Sequence, residues 1–458
     1  MIRLLRHASA AALLAGAATV FGAGSAAAQS PGAAGLGDPY FPAAGNGGYQ
    51  VEHYDLRIGF KPRRGKIKAL ATLNARATQA LSAFNLDLHG LRVRGVSVNG
   101  VPAGRRHRGG ELTVVPATPI ADGAAFTVAV RYRGKPRPYS GGKHKSVGWF
   151  PTRDGAFVAN EPRGAPGWFP CNDHPTDKAT YSFAVTVPRG TTAVANGVLE
   201  RVVRRRGRRT FHWREGSPMA TYLASVTSGR FRLKYSHIAG LPAWTAVDPA
   251  TGPIKRSGLR HMGRILRSLS SYLTPYPFTS TGAILDDGIP GLALEVQTRP
   301  LYGSPPPGWI VAHELAHQWF GDSVTLARWQ DIWLNEGFAS WMDFWWSAGG
   351  DDGRMRRTFD RLMKSNHRSF WLPAPGDPGP RRLFAGSVYI RGALALEALR
   401  QRVGAATFQS ILRRWLAEHL YGNASTAEFI ALAQQESGLD LTHFFDVWLY
   451  RPSKPRGW

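Results

Sequence analysis

The segment His313-Glu314-Leu315-Ala316-His317 is the feature that most constrains how this chain of 458 residues can fold. Two histidines four positions apart share one face of a helix, so both imidazoles can reach a single metal ion. Zinc catalysis needs three protein ligands and one open position, and Glu336 supplies a carboxylate as the third ligand. Glu314 can accept a proton from water that the metal activates. The spacing therefore predicts a zinc hydrolase centre held by His313, His317 and Glu336, and not a surface helix with unrelated histidines.

Residues 1–28 have the pattern of a secretory signal peptide. Two arginines precede an apolar run over residues 10–21, and Ala26-Ala27-Ala28 suits cleavage after residue 28. The run is too short and too rich in alanine and glycine for a membrane anchor, and no transmembrane segment is predicted in the mature chain. The expected location is therefore extracellular or in the cell envelope. Cys171 is the only cysteine, so no intramolecular disulfide is expected there.

The chain is strongly basic, with a formal charge of +26 that falls to +24 when the two arginines of the signal segment are removed. The basic residues are scattered along the sequence, and no zinc finger, recognition helix or aromatic platform accompanies them. We therefore expect a solvated basic surface and no specific nucleic-acid partner. An anionic cell-wall polymer is the alternative partner that this charge would suit.

Residues 29–238 are predicted to form an antiparallel, sandwich-like β domain. Apolar residues alternate with other residues over 126–132 and 181–187, as in strands with one buried face. Asn99-Gly100 is a turn signal, and Gly207 marks the tip of an arginine-rich hairpin.

Residues 239–458 change to helical periodicity and are predicted to form the catalytic domain. A proline-rich segment, 304–308, leads into the metal-binding helix, and Gly321 is its expected end. Ser425 and Glu428 have the spacing of a capping box. Further helices are expected over 259–272, 333–346, 390–402, 407–419 and 425–435.

Four blocks in this order resemble the aminopeptidase N-like zinc metallopeptidases, the gluzincin group that also contains leukotriene hydrolases. These blocks are Ala159-Asn160-Glu161-Pro162 with residues 168–173, Ala293-Leu294-Glu295, the zinc set ending in Glu336, and residues 388–393 around Tyr389. The resemblance covers nearly the whole mature chain. It implies a multi-domain α+β fold in which the N-terminal β domain precedes a thermolysin-like domain that ends in helices. It also implies a short secreted form of bacterial type, with one Zn²⁺ per chain and peptides with a free N-terminus as substrates.

The resemblance assigns roles to residues outside the zinc set. Tyr389 is implied to stabilise the oxyanion of the tetrahedral intermediate. Glu295 is implied to bind the free α-ammonium group of the substrate, assisted by Glu161. Within these blocks, Leu292 and Val296 replace the usual glycine and asparagine, and Ala159 replaces a frequent glutamine. These departures affect the region that would bind the first residue of a peptide.

Two alternatives to an aminopeptidase follow from these observations. A zinc endopeptidase of the same chemistry is expected if Leu292 and Val296 no longer allow the amine to be held. A basic cell-surface binding protein that has lost turnover is the second, although the ligand set, Glu314 and Tyr389 argue against it. Asp343 lies seven residues after Glu336, where it either accepts a hydrogen bond from a zinc-binding histidine or is a charge on the helix surface.

Overall fold

The computed structural model describes residues 29–140, 146–254, 257–289 and 291–458. The predicted signal segment, residues 1–28, lies outside the described residues. Among the described residues, no helix is long and apolar enough to cross a membrane.

The first half of the chain consists mainly of strands with alternating buried and exposed residues, as the period-two pattern predicts. The strands are β1 (Ser30–Pro31), β2 (Tyr49–Lys61), β3 (Lys66–Ala77), β4 (Leu81–Asp87), β5 (Arg92–Val98), β6 (Val101–Pro102), β7 (Gly104–Arg108), β8 (Glu111–Val115), β9 (Ala125–Gly134), β10 (Tyr139–Ser140), β11 (Ser146–Pro151), β12 (Ala156–Ala159), β13 (Lys178–Pro188), β14 (Thr192–Ala195), β15 (Val198–Arg205), β16 (Arg208–Ala220) and β17 (Val226–Gly229).

These strands form three sheets within the described residues. The largest has the order β15-β16-β13-β2-β3-β9-β5-β6, and the others have the orders β1-β4-β8-β7 and β10-β11-β12-β17-β14. All pairs in the largest sheet are antiparallel except β13 with β2, which run parallel because they come from distant parts of the chain. Cys171 is fully buried in the core of this half.

The second half begins with a further sheet of the order β18-β19-β20-β22-β21, and a parallel pair, β23 and β24, follows later in the chain. The strands are β18 (Arg232–Ile238), β19 (Leu241–Val247), β20 (Thr281–Leu285), β21 (Ala293–Leu294), β22 (Leu301–Tyr302), β23 (Thr325–Leu326) and β24 (Asn423–Ala424). The division predicted between residues 238 and 239 falls in the hairpin of β18 and β19. Strands β18 and β19 belong to the same sheet as β20, so by strand pairing the change from one sheet to the next lies near residue 230. The domain boundary at residue 238 remains a prediction.

Helices occupy most of the remaining chain and closely match the predicted periodic segments. They are α1 (Met262–Tyr272), α2 (Gly308–Ala316), α3 (Trp333–Ser347), α4 (Asp352–Met363), α5 (Gly386–Val403), α6 (Ala405–Glu418), α7 (Thr426–Ser437) and α8 (Thr442–Phe445), and α8 continues into a π-helical turn, Asp446–Tyr450. The expected capping box of Ser425 and Glu428 is present at the start of α7.

The end of α2 differs from its prediction. The helix ends at Ala316 with His317 as its C-cap, whereas Gly321 was the expected end. Gly321 instead lies in the following turn with φ of 127°, a conformation that favours glycine. After it, the Asp322 amide donates to the carbonyl of His317, five residues earlier, so the regular α-helical pattern is no longer followed there.

Candidate active site

The three predicted zinc ligands meet at one point between α2 and α3. His313 Nε2 and His317 Nε2 are 3.2 Å apart, and Glu336 Oε2 is 3.4 Å from each of them. All three side chains lie in the interior, with Glu336 only 4% exposed. The helical spacing of the two histidines and the position of Glu336 in the first turn of α3 therefore produce the expected cluster.

The separations between these three atoms suit zinc. A tetrahedral ion with ligand distances of about 2.0–2.1 Å holds its ligand atoms about 3.3 Å from one another. The measured separations are the edges of one face of such a tetrahedron. Glu336 Oε2 is buried and makes no hydrogen bond within the described chain, as expected of an atom that binds a metal. The donor set fits a zinc ion with its fourth position free.

The Nδ1 atom of each histidine lies close to an oxygen acceptor, which orients the ring. His313 Nδ1 lies 3.2 Å from Asp343 Oδ2, and His317 Nδ1 lies 3.0 Å from the carbonyl oxygen of Phe320. A carbonyl only accepts, so the Nδ1 of His317 carries the hydrogen and its Nε2 keeps a lone pair toward Glu336. Asp343, which the sequence left open between two readings, therefore contacts a predicted ligand.

The charges within the cluster favour the ligand form of Glu336. Although burial opposes ionisation, the neighbouring His317 and His313 lower the pKa of the Glu336 carboxyl below its usual value. Glu336 is therefore a carboxylate at neutral pH, which is the form that binds zinc.

Glu314 follows His313 on α2 and is buried beside the ligands, with 6% exposure. Burial raises the pKa of its carboxyl to about 7, although His313 and His317 act in the opposite direction. A carboxyl of this kind exchanges protons readily at neutral pH.

Tyr389 reaches the cluster from α5. Its hydroxyl donates to Glu336 Oε1 over 3.1 Å, and burial keeps the pKa of the phenol well above its usual value. The approach is possible because α3 and α5 meet at two glycines. A Cβ on Gly337 would lie 3.0 Å from the Cα of Gly392. The glycine of the predicted tyrosine block thus allows the two helices to bring Tyr389 against Glu336.

The two predicted amine-binding carboxylates also meet beside the zinc ligands. Oxygen atoms of Glu161, Glu295 and Glu336 lie within 4.8 Å of one another. Glu161 Oε1 and Glu295 Oε1 are buried, and neither has a hydrogen-bond partner among the described residues. Burial and the nearby Glu295 and Glu336 raise the pKa of the Glu161 carboxyl well above its usual value. This arrangement favours a cation, which would pair with both carboxyls.

A small cavity of about 10 Å³ lies beside these carboxyls and is lined by both halves of the chain. The first half contributes Val158, Asn160, Glu161 and Tyr222, and the second contributes Leu294, Glu295 and Val296. Among the described residues that line it, none is positively charged, so Glu161 and Glu295 dominate its charge.

Gln318 and Tyr222 also belong to this region, and neither was identified from the sequence. Gln318 Nε2 donates to the carbonyl of Glu295 over 3.0 Å, and Gln318 Oε1 accepts from the amide of Thr298 over 2.7 Å. The position of Gln318 directly after the histidine motif was a usable signal. Tyr222 lies far away in the sequence, and no local pattern marks it.

Comparison with known protein families matches both halves of the chain. The peptidase M1 N-terminal domain matches residues 50–223, and the peptidase family M1 domain matches residues 308–448. Among curated relatives, glutamyl aminopeptidase of Homo sapiens is 29% identical over 332 residues, which is 65% of this chain and 34% of the relative. Aminopeptidase M1 of Arabidopsis thaliana is 26% identical, covering 66% of this chain and 37% of the relative. The chain thus spans about a third of the length of these relatives.

Solved structures of similar length are matched over almost their whole extent. An M1 zinc metallopeptidase of Deinococcus radiodurans, a glutamate-to-alanine variant bound to a Tyr-Ser-Ala substrate, has a TM-score of 0.83 and 30% identity. The match covers 92% of this chain and 99% of that one. A two-domain M1 zinc metallopeptidase bound to L-arginine has a TM-score of 0.84 with the same identity and coverage.

Proposed function

The chain belongs to peptidase family M1, a zinc metallopeptidase family, and from this premise we propose that it is an aminopeptidase that removes amino-terminal residues from peptides. The observation that carries the proposal is the pair of buried carboxyls next to the zinc ligands. Glu161 Oε1 and Glu295 Oε1 are unpaired within the described chain, and a free α-ammonium group would pair with both. An amine held at this point places the first peptide bond at the metal.

The residues of the cluster divide the chemistry among them. His313, His317 and Glu336 hold zinc, which when bound supplies Lewis-acid activation of water and of the substrate carbonyl. Glu314 accepts a proton from the water while the oxygen of that water bonds to the carbonyl carbon of the substrate. Glu314 then transfers that proton to the amide nitrogen as the bond between carbon and nitrogen breaks.

Tyr389 acts on the carbonyl oxygen of the substrate. Its phenol keeps its hydrogen because burial opposes ionisation, so it donates to the oxyanion that forms when the carbonyl is attacked. Its hydrogen bond to Glu336 holds the hydroxyl next to the metal ligands before substrate binds.

Val296 supports one rival function, a zinc endopeptidase. Its buried side chain cannot donate or accept a hydrogen bond, whereas the resemblance described above implies asparagine as the usual residue at this position. Zinc-dependent cleavage of fluorogenic aminoacyl substrates, with free and N-acetylated peptides compared, separates the two functions. The aminopeptidase requires the free amine, whereas the endopeptidase cleaves internal bonds of blocked peptides.

We also propose that the protein is exported, because residues 1–28 have the signal pattern described above. Export predicts a mature chain that begins at Gln29. N-terminal sequencing of the protein recovered outside the cytoplasm tests this, and an intact Met1 would contradict it. Neither the fold nor the relatives point to a cell-wall polymer, so no such partner is proposed.

A further inference from the structure

The turn that follows His317, the second zinc-binding histidine, supplies the hydrogen-bond acceptor for its ring. It comprises residues 320–323, which we call the ligand turn. Its first carbonyl, that of Phe320, accepts the hydrogen bond from His317 Nδ1 over 3.0 Å. The orientation of His317 therefore depends on where the backbone of the ligand turn lies.

Side chains from the β half of the molecule hold the other three carbonyls of the ligand turn. The Tyr222 hydroxyl donates to the Gly321 carbonyl over 2.7 Å. Lys178, the first residue of β13, donates from Nζ to the carbonyls of Asp322 and Ser323 over 3.1 and 2.8 Å.

Lys178 also ties the ligand turn to a second loop of the catalytic half. Its Nζ donates to the carbonyl of Gly422 over 3.2 Å, so that this nitrogen has three carbonyl oxygens within hydrogen-bond distance. Gly422 immediately precedes β24, which pairs with β23 directly after the ligand turn. One side chain of the β half thus joins two separate segments that flank the zinc ligands.

The ligand turn is connected to the amine-binding carboxylate as well. Asp322 Oδ2 accepts from Gln318 Nε2 over 2.7 Å, and the same nitrogen donates to the carbonyl of Glu295. A displacement of the ligand turn would therefore disturb both His317 and the segment that carries Glu295.

We infer that Lys178 is a positioning residue for the zinc site, which holds the ligand turn so that His317 keeps the orientation required to bind the metal. The inference depends on the zinc ligands and not on the preference for a free amine. The β half consequently contributes to metal retention as well as to the cavity. Because the hydrogen bonds of Lys178 with the described residues go to backbone carbonyls, it acts through the turn.

The test is the zinc affinity of Lys178→Met, which removes the three hydrogen bonds and keeps the length of the side chain. Lys68→Met is the matched control, because Lys68 also lies on a strand of the large sheet but is exposed to solvent. Chelator competition on the full chain without substrate should show about 10–100-fold weaker zinc binding in Lys178→Met, the usual effect of losing a group that orients a ligand. Lys68→Met should bind zinc as the wild type does.

The visible spectrum of the Co²⁺-substituted protein reports the geometry at the metal separately from overall folding. We expect the spectrum of Lys178→Met to shift while circular dichroism of the protein is unchanged. Equal zinc affinity and an unshifted spectrum in Lys178→Met would overturn the inference. If Lys178→Met does not fold, Lys178→Gln keeps a polar group at this position but shortens the side chain, and unchanged zinc affinity there would overturn the inference too.

Discussion

At the scale of single residues, the site separates the groups proposed to bind metal from those proposed to act in catalysis. His313, His317 and Glu336 face one point at tetrahedral separations, whereas Glu314 and Tyr389 approach it from two different helices. This separation means that metal content and turnover can be changed independently of each other.

Replacing Glu314 with glutamine should abolish turnover and preserve zinc. The amide keeps the size of the side chain but cannot accept the proton of the attacking water. Metal analysis should find about one zinc per chain in the purified variant, by the three-ligand rule. His317→Ala is the contrasting variant and should lose zinc and activity together. Near-native turnover in Glu314→Gln would show that another base acts.

Replacing Tyr389 with phenylalanine should reduce kcat by about two or more orders of magnitude, the range for losing one oxyanion donor. The three zinc ligands are themselves unchanged in this variant, so purified protein should retain zinc. Steady-state kinetics of the variant checks this. A change confined to KM would place Tyr389 in substrate binding and not in stabilisation of the transition state.

Glu215 on β16 is buried and should make the free energy of unfolding depend on pH. Burial raises the pKa of its carboxyl to about 7, so the folded protein retains a proton that the unfolded chain releases near pH 4.5. The stabilisation from that proton is complete below pH 4.5 and is lost as pH rises through 7.

The matched substitutions for this effect are Glu215→Gln and, as control, the exposed Glu52→Gln. Relative to Glu215→Gln, the wild type should lose about 3 kcal/mol of unfolding free energy between pH 4 and 8. Urea unfolding across that range measures the difference. Parallel pH profiles for the wild type and Glu215→Gln would contradict the assignment.

At the scale of secondary-structure elements, the contact between α3 and α5 determines how the site closes. The two helices touch at Gly337 and Gly392, which allows Tyr389 to reach Glu336. Glycine in a helix interior costs stability in isolation, so the close approach is the physical reason for having it at both positions.

Gly337→Ala should therefore destabilise the protein by about 1–3 kcal/mol, the usual cost of forcing an extra methyl group into a packed contact. It should also reduce turnover, because Tyr389 moves away from Glu336. Gly263→Ala in α1 is the control, since a Cβ there meets its nearest atom at an ordinary 3.5 Å. Thermal unfolding of both variants checks the prediction, and equal midpoints would contradict it.

At the scale of the whole molecule, the sequence predicted a first half made of strands and a second half with many helices. It also predicted the cluster of His313, His317 and Glu336. Those features depend on local periodicity and on spacing within or between neighbouring helices. It did not predict the parallel pairing of β13 with β2 or the contribution of Tyr222, which depend on contacts between distant segments. The role of Asp343 could not be decided either, because it required knowing which face of α3 is turned toward α2.

The two halves meet at the carboxyls that we propose bind the substrate amine. Glu161 comes from the loop after β12, and Glu295 follows β21. Neither could be paired with the other from spacing, since strands β13 to β21 lie between them in the chain. Their proximity is the structural basis of the proposed preference for a free amino terminus.

The most direct test of that claim is kcat/KM for the same peptide with a free and with an acetylated N-terminus, in the wild type and in Glu295→Ala. Because a buried charge without a partner costs several kcal/mol, the wild type should favour the free peptide by at least about a hundredfold. Glu295→Ala should lose most of that preference, mainly through a higher KM for the free peptide. Equal wild-type rates for the two peptides would contradict the aminopeptidase assignment and favour the endopeptidase.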